Sequence, residues 1–396
     1  MITTKKSIAL LSSSLFGGIV LSAFSLNATA NTQMTDAHQP LTPNDEARQQ
    51  APFKMDFAQQ KRTVALNIAQ QYQQLKPMLA GINREQQSLS LQTLGNSGQL
   101  DLSEFKSFEQ AVINAKGFDA NITNLVELRL ADKSMLSTLQ NGMTPLFAFE
   151  PAGDEDQWQY IEAFDSNGNT HLLDVHEMPN RPVLVVDINA RTDLKAGIAQ
   201  MKAVFEGFSG NVPSAIIADK GETSAVLETS VLKKISLKND EEPWIAGNAE
   251  IYAVVNGVDA SREKPILDVV DMPYLDDEDT TYSPNQIVIF WERYRWNAAD
   301  MILMEHDDNT NYKDLAIALT NTAGAIMAAI PDPTTQGLAV LGRITGELIS
   351  AMPDDWFIND DDYVDVFYTI LKGSTYTNHY GASGNAKISL EPLTIN

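Results

Sequence analysis

One stretch, residues 271–312, limits the possible folds more than any other: DMPYLDDEDTTYSPNQIVIFWERYRWNAADMILMEHDDNTNY. Two runs rich in apolar residues, 286–294 and 301–305, read as strands. Acidic loops bound them, 276–279 before the first and 307–311 after the second. Carboxylates packed this densely at strand ends repel one another unless they fan into water or share a cation. The stretch therefore points to a β-rich fold with a negative rim.

The imbalance extends over the chain but not evenly. Residues 240–396 hold 27 acidic side chains against 8 basic ones, and residues 31–239 hold 25 against 18. The formal net charge of −24 argues against nucleic acid, whose phosphates need clustered Lys and Arg, and against anionic membrane surfaces. With 43% hydrophobic and 20% charged residues over 396 positions, the chain can bury a core and has length for about two domains.

The N-terminus carries a targeting signal. Lys5 and Lys6 precede an apolar run over 8–26, and Ala28-Thr29-Ala30 supplies small residues at the positions signal peptidase reads. Residues 1–30 are expected to be a secretory signal peptide cleaved after Ala30, and Ser12, Ser13 and Gly17 dilute the run too much for a membrane anchor. The expected location is periplasmic or extracellular. The chain has no cysteine, so neither a lipoprotein nor disulfide stapling applies, and bound cations are another way to pin loops in that compartment.

Residues 31–52, polar and aperiodic, read as a flexible leader. From there to 239 the pattern is α+β. A helix over 55–78 carries Phe57, Lys61, Val64, Ile68, Tyr72 and Leu75 on one stripe. Further helices are expected over 103–116, stopped by Gly117, over 133–141 and over 195–205. Strands are expected at 146–149, 158–165, 170–175 and 226–237, with a central buried one at 181–188. Asp165, Asn167 and Asn169 have a spacing that resembles a calcium loop, but Gly168 and the flanking strands make the segment a hairpin turn. The polar segment 239–243 is the expected domain boundary. Residues 240–396 then read as an acidic antiparallel β-sandwich, with strands at 250–255, 265–270, 286–294, 301–305, 363–371 and 386–390. A helical hairpin is inserted over 312–352, its arms joined at Pro331-Asp332-Pro333.

The candidate metal ligands lie in the acidic loops. Asp307, Asn309 and Asn311 alternate, so three oxygens can aim at one point, and Glu305 and Asp308 flank them. Asp360, Asp361 and Asp362 form a second acidic loop that a sandwich can bring to the same end. Calcium, which takes six to eight oxygen ligands from flexible loops, is the expected ion, although the glycine and late glutamate of an EF-hand are missing. A surface position is expected for His306.

No catalytic motif stands out. There is no cysteine nucleophile, the Gly207–Gly210 and Gly381–Gly384 segments miss the G-x-S-x-G spacing, and no H-E-x-x-H or Walker A loop occurs. Paired carboxylates stay open for glycoside hydrolysis because acids are abundant. Trp291, Tyr294 and Trp296 suit core packing better than sugar stacking. The hairpin's uncharged stretch, 315–330, is shorter than the roughly 20 residues that span a bilayer.

Several segments, among them PLFAFEPAGDEDQWQYIEAFD, RPVLVVDIN, WIAGNAEIYAVV, EHDDNTNY and GASGNAKISL, resemble a family of exported bacterial proteins catalogued as domain of unknown function 3103. The resemblance covers roughly 146–390. It implies an exported protein built around these acidic segments, and it implies no activity and no catalytic residue. The expectation is a non-enzymatic binding or structural module with calcium-binding loops, whose partner is a glycan or protein at the cell surface. The alternatives are a secreted hydrolase using two carboxylates and a membrane-active protein deploying 312–352.

Overall fold

Alternation along the strands explains the architecture. In the computed structural model, Ile251, Ala253 and Val255 of one strand face one core, while Tyr252 and Val254 face another. Met301 and Leu303 likewise face the first core, Ile302 and Met304 the second. The sheet that holds them is buried on both sides, which needs apolar residues at every position rather than every other one. The structure describes residues 55–153, 157–209, 226–238, 243–247, 250–259, 264–275, 279–329, 338–350, 352 and 363–396. The expected signal peptide and leader, most of the 239–243 boundary, residues 276–278, the Pro331–Pro333 turn and Asp360–Asp362 lie outside these.

The N-terminal part is α+β. Six strands form one sheet in the order β1-β2-β6-β3-β4-β5: β1 Ser88–Ser90, β2 Val126–Leu130, β3 Leu146–Ala148, β4 Tyr160–Phe164, β5 Thr170–Asp174 and β6 Val183–Ile188. Every pairing is antiparallel except β3 with β6. All six residues of β6 are buried, as a central strand requires. Helices α1 (Ala58–Gln70) and α2 (Ser103–Lys116) cover the sheet through Val64, Ile68, Phe105 and Phe108. Gly117 ends α2 at φ +63, where its N–H returns to Asn114 O. Asp165 and its neighbours form a hairpin turn: the Asp165 carboxylate accepts from the N–H groups of Asn167 and Asn169, and Gly168 sits at φ +80.

The second part is a pair of antiparallel sheets. One has the order β10-β7-β14-β13 (β7 Leu227–Leu237, β10 Gln286–Phe290, β13 Tyr376–Tyr380, β14 Ala386–Ile395). The other has the order β12-β11-β8-β9 (β8 Ile251–Val258, β9 Pro265–Asp271, β11 Ala298–Glu305, β12 Tyr363–Leu371). They enclose Leu232, Ile235, Val288, Ile388, Met301 and Phe367. Three helices cover the other face of the second sheet: α3 Ala190–Ser209 and the two arms of the hairpin, α4 Tyr312–Ala329 and α5 Leu338–Ser350. The hairpin is thus a lid of packed helices. Among the described residues no helix is long and apolar enough to cross a membrane.

Some expectations need revising. Strand β7, read as the end of the first part, pairs with β10 and β14 of the second, and α3 packs there too. Strand β10 stops at Phe290, and a 3-10 turn over Trp291–Arg293 tucks Trp291 inside, its indole N–H on Ser230 Oγ at 3.0 Å. Trp291 and Tyr294 are buried and offer no sugar platform. On β12 an even alternation fails at two bulges, because three residues of β12 span the step from Ala299 to Met301 and Val364 is an extra residue opposite Leu303–Met304.

Candidate functional site

The site begins with a lysine on an apolar stripe. Lys61 occupies the face of α1 that also carries Val64 and Ile68, so the helix drives its ammonium into the protein interior. Its side chain is 3% exposed. A buried ammonium needs partners for all three protons. Lys61 Nζ donates to Glu150, to Asp187 Oδ1 at 2.7 Å and to Asp308 Oδ2 at 2.9 Å. Glu150 follows β3, Asp187 is the one charged residue of β6, and Asp308 comes from the loop after β11. Elements far apart in the chain therefore meet on one nitrogen.

Arg129 of β2 holds the other side of this cage. Its Nε donates to Asp187 Oδ2 at 2.7 Å, and one terminal nitrogen reaches Glu150 at 3.2 Å and the Ala246 carbonyl at 2.8 Å. Glu127, two residues earlier on β2, accepts from Ser88 Oγ at 2.7 Å and Asn189 Nδ2 at 2.6 Å. Asn189 Oδ1 in turn accepts the Thr192 N–H in the first turn of α3.

Three cage carboxylates face two cations, and their protonation diverges accordingly. Burial would raise Asp187, but Lys61 and Arg129 hold it well below the usual carboxylate range. Burial pushes Asp308 well above that range despite Lys61, and the charge of Asp187 adds to the rise. Burial also raises Glu150 and Glu127. For Lys61, burial alone would lower the ammonium, but Asp187, Asp308 and Glu150 together hold it far above its ordinary value.

Asp308 also borders a second group. Lys116, the last residue of α2, and Asp193, in the first turn of α3, are both fully buried and form an ion pair. The Nε2 of His306 lies 2.8 Å from Asp193 Oδ2, and its Nδ1 lies 3.9 Å from Asp308 Oδ1. The imidazole stacks on Tyr312 at 5.8 Å between centroids, and the Lys116 ammonium lies 5.7 Å from that ring's centroid. Gly197 of α3 makes room for Tyr312, since a Cβ there would overlap the ring. The His306 side chain is 3% exposed, contrary to the expected surface position: the Asp193–Lys116 pair and Tyr312 draw it in.

Asp308 is the common corner of two sets that could hold a metal ion. Asp193, His306 and Asp308 offer ligand atoms within 4.8 Å of one another, and so do Glu150, Asp187 and Asp308. The neighbouring loop residues do other work. Asp307 Oδ1 accepts the Asn309 N–H at 2.5 Å, and the Asn309 carbonyl accepts from Met55 N at 2.7 Å. Asn311 Oδ1 accepts the Asp314 N–H at 3.2 Å and so caps α4, while Asn311 Nδ2 donates to the Ala115 carbonyl. Glu305 is buried at the end of β11, opposite Ile251. The alternation of 307, 309 and 311 thus builds a turn and a helix cap. Asp360, Asp361 and Asp362 lie outside the described residues.

The family model described as "Protein of unknown function (DUF3103)" matches residues 61–396. The chain belongs to this family. The DUF3103 match begins at Lys61 itself and takes in every residue of the two buried groups. No curated protein matches the chain, and no solved structure does.

Proposed function

We propose that this DUF3103 chain is an exported, non-enzymatic binding or structural module that takes up a divalent cation beside the 305–311 loop. The observation that carries the reading is the position of Asp308. It reaches out of the acidic loop into a buried network whose carboxylates outnumber its cations, and it stands between two sets of ligand-capable atoms. An ion held by carboxylates alone would be calcium. The lysine and alanine signature of residues 1–30 supports export. A glycan or protein at the cell surface is the partner class this location suggests.

The test is a thermal melt of the chain in EDTA and then in millimolar divalent cation. A ligand of the folded state must raise the midpoint, and an unchanged midpoint with calcium, manganese and zinc refutes the reading. N-terminal sequencing of the protein recovered from cells, expected to begin at Asn31, tests export. A second reading, a hydrolase working with two carboxylates, draws on one observation. Asp187 is pulled down and Asp308 pushed up side by side, the separation that distinguishes a base from an acid in many active sites. A glycan and ester substrate screen in which Asp308→Asn abolishes turnover would favour it over the first.

A further inference from the structure

The buried network does not close on its own charges. Five carboxyl groups, Glu127, Glu150, Asp187, Asp193 and Asp308, stand against three cations, Lys61, Lys116 and Arg129, and burial holds Asp308, Glu150 and Glu127 toward their protonated forms. No side chain among the ion-paired members is more than 17% exposed. A divalent cation beside Asp308 would take the place of such protons.

The Lys61 cage is filled, because each ammonium proton already has a carboxylate. The neighbouring group is built differently. Asp193 Oδ2 holds Nε2 of His306 at 2.8 Å, which leaves Nδ1 as the ring nitrogen open to a ligand role. Nδ1 lies in a buried ring and faces Asp308 Oδ1 at 3.9 Å, beyond hydrogen-bond reach. Two ligands about 2.0–2.2 Å from one tetrahedral zinc stand roughly 3.3–3.6 Å apart. The 3.9 Å gap is a few tenths of an ångström wider, a difference that small side-chain shifts would close. Asp193, whose buried Oδ1 has no hydrogen-bond partner, belongs with His306 and Asp308 to one set of ligand-capable groups.

We infer that His306 Nδ1 and Asp308 Oδ1 are the protein ligands of a zinc-class divalent ion, with Asp193 as the positioning residue that fixes the imidazole. The inference rests on the cation-binding reading above and narrows it to a place and an ion class. A nitrogen donor selects zinc or its neighbours over calcium, which prefers oxygen throughout. A carboxylate on the other ring nitrogen sets the tautomer and strengthens the ligand, a recurring arrangement around bound zinc. Asp308 serves both groups at once, with Oδ2 on Lys61 and Oδ1 on the ion.

The experiment takes the full chain, stripped with EDTA and desalted, and titrates it with zinc chloride and separately with calcium chloride. Calorimetry follows binding, and side-chain nitrogen-15 spectra of the histidines follow the ligand atom. The expected result is one zinc per chain, bound at least tenfold tighter than calcium, with the Nδ1 resonance of one histidine shifted. His306→Gln should weaken zinc at least tenfold, and Asp193→Asn by about 10–100-fold through the lost orientation. Zinc affinity unchanged in His306→Gln overturns the inference. Calcium bound as tightly as zinc, and indifferent to His306→Gln, overturns it while leaving the broader cation reading standing. Absence of binding by any ion overturns both. Should His306→Gln fail to fold, the wild-type spectra decide: a shift at Nε2, or at no imidazole, overturns the assignment.

Discussion

Replacing Lys61 with methionine keeps the length of the stem and removes the ammonium. Glu150, Asp187 and Asp308 then face one another with Arg129 alone to balance them. Two like charges about 4 Å apart repel by roughly 4 kcal/mol at an effective dielectric of about 20. Removing one partner of a buried pair costs about 3–5 kcal/mol. We therefore expect Lys61→Met to lose about 3–5 kcal/mol at pH 8. The penalty should shrink on acidification. Lys61 has a folded-state pKa raised above its unfolded value, so its contribution is fully present below the ordinary lysine range and constant between pH 5 and 8. Any pH dependence there comes from the carboxylates. Burial raises Asp308 and Glu150, so above pH of about 4 the folded state binds more protons than the unfolded one, and stability falls as pH rises. Deleting the ammonium lifts these groups further, and protons partly replace it at pH 5. Urea denaturation of both proteins at the two pH values measures the difference. A loss under about 1 kcal/mol at pH 8, or a loss no smaller at pH 5, would refute the internal counter-ion reasoning.

Other substitutions separate the roles of neighbouring residues. Asn311→Ala should cost about 0.5–2 kcal/mol as a lost helix cap and leave cation affinity unchanged, which calorimetry checks. Gly197→Ala should destabilise by about 1–3 kcal/mol, read by thermal melting, because the added methyl displaces the Tyr312 ring. Asp365 accepts the N–H groups of Val366, Ser383 and Ala386 from a fully buried position, so Asp365→Ala should speed hydrogen exchange at Ser383 and Ala386 and cost at least about 1–3 kcal/mol. With α4 and α5 packed on the sheet, the chain should release no dye from liposomes at neutral pH, and leakage dependent on 312–352 would count against that packing.

Much of the fold is legible in residue patterns. The apolar run of β6, the stripe of α1, the Gly117 stop and the Asn-Gly hairpin all form where local chemistry places them. Short strands escape notice: Ser88–Ser90 has three residues, and Tyr376–Tyr380 is polar and largely exposed, so neither shows a usable period. Strand β7 joins its sheet through partners about 55 and 160 residues later, a pairing that no pattern near 239 encodes. The site left a trace that alternating acids obscured. A lysine on the apolar stripe of α1 and an aspartate inside VLVVDI are charges where burial is certain, and buried charges pair. Asp307, Asn309 and Asn311 have the spacing of ion ligands, yet turns and caps use the same residue types. That Asp308 turns inward depends on Lys61, 247 residues away, and no local pattern encodes it.

The cation claim is tested most directly by diffraction from a crystal of the chain grown with zinc and measured on both sides of the zinc absorption edge. The expected result is a single strong anomalous peak between His306 Nδ1 and Asp308 Oδ1, with Lys61 still seated among its three carboxylates. A map with the imidazole and the carboxylate ordered and no peak between them would contradict it.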